Sequence, residues 1–155
     1  MLITRASKAR TSNGTKMSQQ FEIDKAQSQS SGTVGRSKTT AHGVAITLDA
    51  SKRPQPDGIT NSEAFLGSVS SCGVTMIEMR AQETSVPLKR TRVTIEGSRD
   101  PAIPRYLTVQ MHFELAGVSK EQANDLIEFY RGHCPLYGTL VVAAKVSIDF
   151  EAVPA

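Results

Sequence analysis

The sequence has little cysteine and no close pair of cysteines. Its two cysteines, Cys72 and Cys134, lie 62 residues apart, and no C-x2-C spacing occurs. Zinc usually needs four ligands supplied in such close pairs. His133 beside Cys134 cannot easily supply two corners of one tetrahedron, so we expect no metal site.

Long apolar runs and a strong charge are also missing. No run of about 18 apolar residues occurs, and a membrane-spanning helix is therefore not expected. The net charge of +3 is mild. Much of the basic excess lies in the first twenty residues, which hold no acid and four basic residues: Arg5, Lys8, Arg10 and Lys16. The charge pattern therefore does not indicate a nucleic-acid surface.

The 155 residues predict one domain with a sizeable core, preceded by a tail. Residues 1–18 are poor in apolar groups and predict a flexible segment, with the domain over 19–155. A basic, acid-free start is also typical of a transit peptide, but it lacks an apolar stripe and Met17 offers an alternative start. Two cysteines without a secretory signal pattern favour a reducing, cytoplasmic location, where paired thiols are often catalytic.

Hydrophobic periodicity predicts an α+β fold in the order β-β-α-β-β-α-β, with two long helices and antiparallel sheets. The strand 106–115 has the clearest alternation, and His112 falls on its opposite, solvated face, which predicts a surface residue rather than a ligand. The other expected strands begin near 21–24 or lie within 44–49, 88–96 and 140–153.

Two helices are expected to carry or precede the cysteines. Thr60 and Glu63 have the spacing of a capping box before a helix over 61–84, and Cys72 lies on its apolar face. Ser119 and Gln122 have the same capping-box spacing before a second helix, which runs to about His133, just before Cys134. Its apolar stripe is Leu126, Ile127 and Tyr130. Burial raises the pKa of a mid-helix thiol, and a helix C-terminus disfavours negative charge, so neither helix is expected to favour a thiolate.

The sequence motifs around both cysteines resemble those of a known protein family. NSEAFLGSVSSC, which ends at Cys72, is similar to the P-x-E-L-L-L-A-A-L-A-S-C pattern of the OsmC/Ohr superfamily, and HCPLYGTL resembles its Cys-Pro-Val motif. The spacing and element order are similar over roughly residues 20–153. Ser62, Gly73 and Leu136 depart from the usual residues, and the Ohr form of the first motif is missing, so the chain resembles an OsmC-like member.

The resemblance implies a peroxidase without metal, haem or other cofactor. Cys72 would be the peroxidatic thiol and Cys134 the resolving one, forming a disulfide that an external dithiol of lipoyl or thioredoxin type reduces. The resemblance also implies an intertwined homodimer with sites at the subunit interface.

Arg36 and Glu63 best match the arginine and glutamate that the family contributes to its site. An arginine holds a thiolate without losing its charge. Glu63 lies nine residues before Cys72, about 13.5 Å along the helix and half a turn around it. Glu63 is therefore expected either to cap its own helix or to serve the Cys72 of a second subunit.

Two functions stay open from the sequence. One is thiol-dependent reduction of organic hydroperoxides. The alternative is a binding or structural domain whose cysteines are core residues and whose dimer interface holds an apolar ligand.

Overall fold

The computed structural model describes residues 22–154, which form an α+β fold of two three-stranded sheets and three helices. The elements in chain order are β1 Gln27–Ser30, β2 Arg36–Ala41, β3 Val44–Asp49, α1 Asn61–Glu83, β4 Arg90–Ser98, β5 Thr108–Ala116, α2 Lys120–His133, α3 Pro135–Ala143 and β6 Lys145–Val153.

The core lies between the second sheet and the helices. β5 is the central strand, antiparallel to β4 and parallel to β6. Its inward side chains have no solvent exposure, as the alternation predicts: Val109, Met111, Phe113 and Leu115. α2 buries Ala123, Leu126, Ile127 and Tyr130 against the same core.

α1 begins with the predicted capping box. The Thr60 hydroxyl accepts the Glu63 N–H at 3.2 Å, and the Glu63 carboxylate accepts the Thr60 N–H at 2.7 Å. The helix buries one residue per turn from Val69 to Ala81. A Cβ on Gly73 would lie 3.1 Å from the Phe113 ring, so the missing side chain lets α1 approach β5 closely beside Cys72.

The first sheet has almost no core of its own. β1, β2 and β3 form an antiparallel meander in which Asp49 is the buried residue. A bridge between Leu48 and Ile59 and a hydrogen bond from the Asp49 N–H to the Ile59 carbonyl join it to the segment before α1.

The structure corrects the expected elements in two places and the expected strand direction in a third. α3 was not expected, because Leu140 and the two valines after it are typical of a strand, and the last strand starts at Lys145 rather than at residue 140. β2 was missed because its sequence RSKTTA lacks an apolar alternation. β6 is parallel to β5 because α2 and α3 form a crossover between the two strands.

The N-terminal expectations fall partly outside the described residues. The first strand was expected to begin near 21–24, whereas β1 begins at Gln27. Phe21 and the predicted tail 1–18 lie outside the described residues. No helix within residues 22–154 has the length and apolar character needed to cross a membrane.

Candidate active site

The structure brings the two cysteines together. The Sγ atoms of Cys72, on α1, and Cys134, between α2 and α3, are 3.0 Å apart, and both cysteines are free thiols. This distance is longer than a disulfide bond of about 2.05 Å and short enough for an S–H to bond to the other sulfur. Cys72 is half-buried, whereas Cys134 is 3% exposed.

Cys134 occupies two helix ends at once. It is the C-cap of α2, and it is also the N-cap of α3, where its Sγ accepts the Tyr137 N–H at 3.4 Å. A residue before proline avoids the helical conformation, which explains the break between the helices at Cys134. The sequence argument that Cys134 meets only a helix C-terminus is therefore wrong, because the α3 N-terminus favours negative charge at the same sulfur.

Cys72 has the opposite surroundings. The pKa of the Cys72 thiol is raised to about 12, chiefly by burial and in addition by the adjacent Cys134, through its hydrogen bond and its charge. Within residues 22–154 of one chain, no cationic side chain bonds to this sulfur. The expectation that α1 alone does not favour a Cys72 thiolate agrees with this arrangement.

A buried tyrosine completes the surroundings of the thiol pair. Tyr130 has no solvent exposure, and its hydroxyl donates to Met111 Sδ at 3.7 Å. Burial raises the pKa of Tyr130, and the neighbouring Cys134 and Cys72 raise it further. Sequence reasoning treated Tyr130 as part of an apolar stripe, yet its position four residues before Cys134 places both on one face of α2.

Arg36 lies at the start of β2 in a carboxylate clamp. Its guanidinium donates to Asp49 at 2.6 Å and to Asp57 at 2.6 and 2.7 Å. Gly35 before it has a positive φ, and a Cβ there would lie 2.9 Å from the Ser51 backbone. Hydrogen bonds from Ser51 and Gln55, together with Arg36, hold the pKa of Asp49 well below its usual range.

Glu63 does not pair with Arg36 within one chain. Its carboxylate bonds to the backbone N–H and the hydroxyl of Thr60, and these bonds lower the pKa of Glu63. The structure thus gives Glu63 the capping role, one of the two roles that the sequence allows.

Three other arginines are engaged elsewhere. Arg80 lies over the Phe129 ring at 4.7 Å from its centroid, and Arg131 pairs with Glu128 at 2.6 Å. Arg105 donates to the Ala143 carbonyl at 3.0 Å.

An apolar cavity of about 620 Å³ lies beside the N-terminal half of α1. Phe65, which lines it, precedes Cys72 by two helical turns on the same face, and its ring stacks on Tyr106 at 5.9 Å. Sequence reasoning did not identify this cavity, because it is formed by segments far apart in the chain: Phe65, Arg99–Pro101, Ile103–Tyr106, Leu140, Ala143 and Ala144.

The exposed face of the second sheet holds a group that could take a metal ion. His112, Glu114 and Glu151 each offer one ligand atom, all within 4.8 Å of one another. His112 Nδ1 bonds to Asp149 at 2.7 Å, and its Nε2 lies 3.6 Å from Glu151. Ion pairing accounts for this arrangement, and Arg92 already contacts Glu114 at 3.3 Å.

Comparison with known proteins agrees with the fold. The OsmC-like protein family model matches residues 54–151. No curated protein matches the sequence. Among solved structures, an OsmC-like protein from Mycoplasma pneumoniae has a TM-score of 0.76 at 19% identity, covering 85% of this chain and 98% of that one.

Two other similar structures carry names that mention hydroperoxides. An organic hydroperoxide resistance protein OsmC from Legionella pneumophila has a TM-score of 0.66 at 18% identity, covering 88% of this chain and 100% of its own. The organic hydroperoxide resistance protein OhrB of Bacillus subtilis has a TM-score of 0.60 at 13% identity, covering 84% and 98%. With a family model that matches well over half of its length, this chain belongs to the OsmC-like protein family.

Proposed function

We propose that this chain is a cysteine-based peroxidase that reduces organic hydroperoxides through Cys72 and Cys134. The observation that carries the proposal is the 3.0 Å contact between two free thiols that lie 62 residues apart. The names of the Legionella and Bacillus relatives, which mention organic hydroperoxide resistance, support the same chemistry.

The reaction needs both sulfurs in turn. The Cys72 thiolate attacks the distal peroxide oxygen, the O–O bond breaks, and the leaving alkoxide takes a proton to become an alcohol. Cys134 then attacks the sulfur of the resulting sulfenic acid, the S–O bond breaks, and hydroxide leaves as water after protonation. An external dithiol of lipoyl or thioredoxin type returns two electrons by exchange. This cycle suits a reducing, cytoplasmic location.

A Cys72 thiolate needs a cation, and residues 22–154 of one chain place none against its sulfur. Burial and Cys134 raise the pKa of Cys72 to about 12, so a thiolate at neutral pH needs a positive charge beside the sulfur. We assign this role to Arg36, which its aspartates already hold rigidly. In a homodimer, Arg36 and Glu63 would meet a thiol pair at the subunit interface, and Glu63 would keep its capping bonds.

The apolar cavity favours a carbon-bearing peroxide over hydrogen peroxide. Burial of a hydrocarbon group against the apolar side chains of this cavity would stabilise the bound substrate. Hydrogen peroxide has no such group. The same cavity supports the second candidate, a binding domain that holds an apolar ligand without redox chemistry.

Two serine variants test the order of reaction. Cys72→Ser is expected to abolish peroxide turnover. Cys134→Ser is expected to leave Cys72 as sulfenic or over-oxidised acid after one turnover, and serine retains an N-cap acceptor for α3. Mass spectrometry of each variant after one equivalent of cumene hydroperoxide locates the added oxygen. First oxidation on Cys134 would reverse the assignment, and no oxidation on either would favour the binding domain.

A further inference from the structure

The two sulfurs of the thiol pair differ in their access to solvent. Cys72 is half-buried on the side of α1, whereas Cys134 is 3% exposed between two helices. An incoming thiolate must approach in line with the disulfide bond, from the side of the attacked sulfur that faces away from its partner. Access therefore favours attack at Cys72.

The two sulfurs also differ in the groups that can receive negative charge. Cys134 Sγ accepts the Tyr137 N–H at the N-terminus of α3, a helix of nine residues with Pro135 at its first position. The buried Tyr130 hydroxyl lies beside the same sulfur. Its bond to Met111 Sδ is a weak one at 3.7 Å, and after burial itself Cys134 is the neighbouring side chain that most raises the pKa of Tyr130.

Within residues 22–154 of one chain Cys72 has no comparable donors, and its proposed cation, Arg36, would come from a second subunit. It lies in the middle of α1, where the backbone N–H groups are used by the helix, and Cys134 is its hydrogen-bond partner. A disulfide breaks faster when the sulfur that leaves is the one best able to carry charge. Access therefore selects Cys72 as the attacked sulfur, and the α3 N-terminus is placed to receive the charge on Cys134.

We propose that the external dithiol attacks Sγ of Cys72, and that Cys134 leaves as a thiolate held by the α3 N-terminus and by the Tyr130 hydroxyl. This rests on the proposed function, which requires a disulfide to be recycled. The first thiolate forms a bond to Cys72 Sγ, and the electron pair of the broken S–S bond passes to Cys134. The second thiol of the reductant, as a thiolate, then attacks its own bound sulfur. That step releases Cys72 and a cyclic disulfide, and two electrons have entered the protein.

The cysteine that an external thiol attacks can be identified without any peroxide. The wild-type chain is oxidised to the Cys72–Cys134 disulfide with diamide, mixed with excess glutathione, quenched with acid at early times, and mapped by peptide mass spectrometry. We expect glutathione on Cys72 to exceed glutathione on Cys134 at least tenfold. Equal adducts, an excess on Cys134, or failure of diamide to close the disulfide would overturn the proposal. A protein that gives the expected adduct but ignores hydroperoxide would overturn only the proposed function.

Tyr130→Phe tests the positioning role of the hydroxyl. The ring contacts with Phe113 and Tyr137, at 5.3 Å between centroids, remain possible. We expect glutathione exchange to slow about tenfold, as for the loss of one hydrogen bond to a charged group. The dithiol–disulfide equilibrium with glutathione should also shift towards the disulfide, because the reduced form loses a donor to its thiolate.

Thr139→Ala is the matched control, because it removes a hydroxyl that bonds to the Pro135 carbonyl within α3. It should change neither the exchange rate nor the redox equilibrium. A loss of packing alone in Tyr130→Phe would lower thermal stability without moving the equilibrium. An unmoved equilibrium would remove Tyr130 from the proposal.

Discussion

The sheet β4–β5–β6 and the sheet β1–β2–β3 contribute different parts of the proposed chemistry. The inward side chains of β5 are fully buried beneath the helices that hold the two thiols. In β1–β3, Asp49 is the buried residue, and it serves Arg36 rather than an apolar core. In the proposed chemistry, one chain thus holds both reacting thiols, whereas the cation assigned to them, Arg36, lies on a sheet with little core of its own.

From this difference we propose that a second copy of the chain completes the first sheet. Small sheets without an apolar face are marginal in water, and α1 leaves Phe65 and Met79 about half exposed, at 46% and 56%. α3 leaves Val142 88% exposed. We therefore expect an obligate dimer with an interface above about 2,000 Å².

The largest expected effect follows from breaking that dimer. Met79→Glu places a charge on an apolar exposed position of α1 and should lower the mass in solution from dimer to monomer, or unfold the chain. Gln82→Glu is the control, since it adds the same charge one turn away at a polar exposed position. Sedimentation at micromolar concentration measures both. A folded wild-type monomer would contradict the dimer.

The next effect concerns Arg36 on the first sheet and its proposed action on Cys72. Arg36→Met should raise the pH at which Cys72 is alkylated by about one to three units and slow peroxide reduction, because a neighbouring cation favours a thiolate. The pH dependence of Cys72 alkylation measures the shift. An unchanged profile would remove Arg36 from the site and make Arg80, Arg105 and Arg131 the next candidates.

Glu63→Gln tests whether the carboxylate acts on Cys72 through Arg36, and Cys72 alkylation against pH again measures the effect. Glutamine at the third helical position can still cap Thr60, so this variant removes the charge and retains the capping box. In the proposed dimer Glu63 helps to hold Arg36 beside Cys72, so its loss frees the arginine to move away. We therefore expect a shift in the same direction as for Arg36→Met, but a smaller one, since the arginine keeps its charge. A shift larger than that of Arg36→Met would mean that Glu63 acts on the thiols by another route.

How far the sequence predicts this molecule depends on whether a feature is local. The cysteine-bearing face of α1, both capping boxes and the buried face of β5 repeat at fixed spacings, and each is confirmed. α3 was missed although Cys134 and Pro135 form an N-cap and a first-turn proline, because the apolar residues that follow are typical of a strand. The pairing of Arg36 with Asp57 depends on a loop folding back over 21 residues, which no periodicity reports.

The smallest expected effect is the response of the two sheets to acid. Asp49 and Asp57 have folded pKa values below the ordinary carboxyl value of about 3.9, so their pairing with Arg36 stabilises the fold above that pH. This stabilisation is lost as the pH falls through the lowered values. Amide protection factors of β2 and β3 should therefore fall below about pH 4 before those of β5. Simultaneous loss in both sheets would show that the clamp does not hold the first sheet separately.

The central claim is that Cys72 and Cys134 act as one peroxide-reactive pair. Titration of the free thiols of the wild-type chain with cumene hydroperoxide tests it most directly. We expect one equivalent of hydroperoxide to remove both thiols and to form one equivalent of alcohol, and a dithiol to restore both thiols. Two thiols that persist after one equivalent of hydroperoxide, in the folded protein, would contradict it.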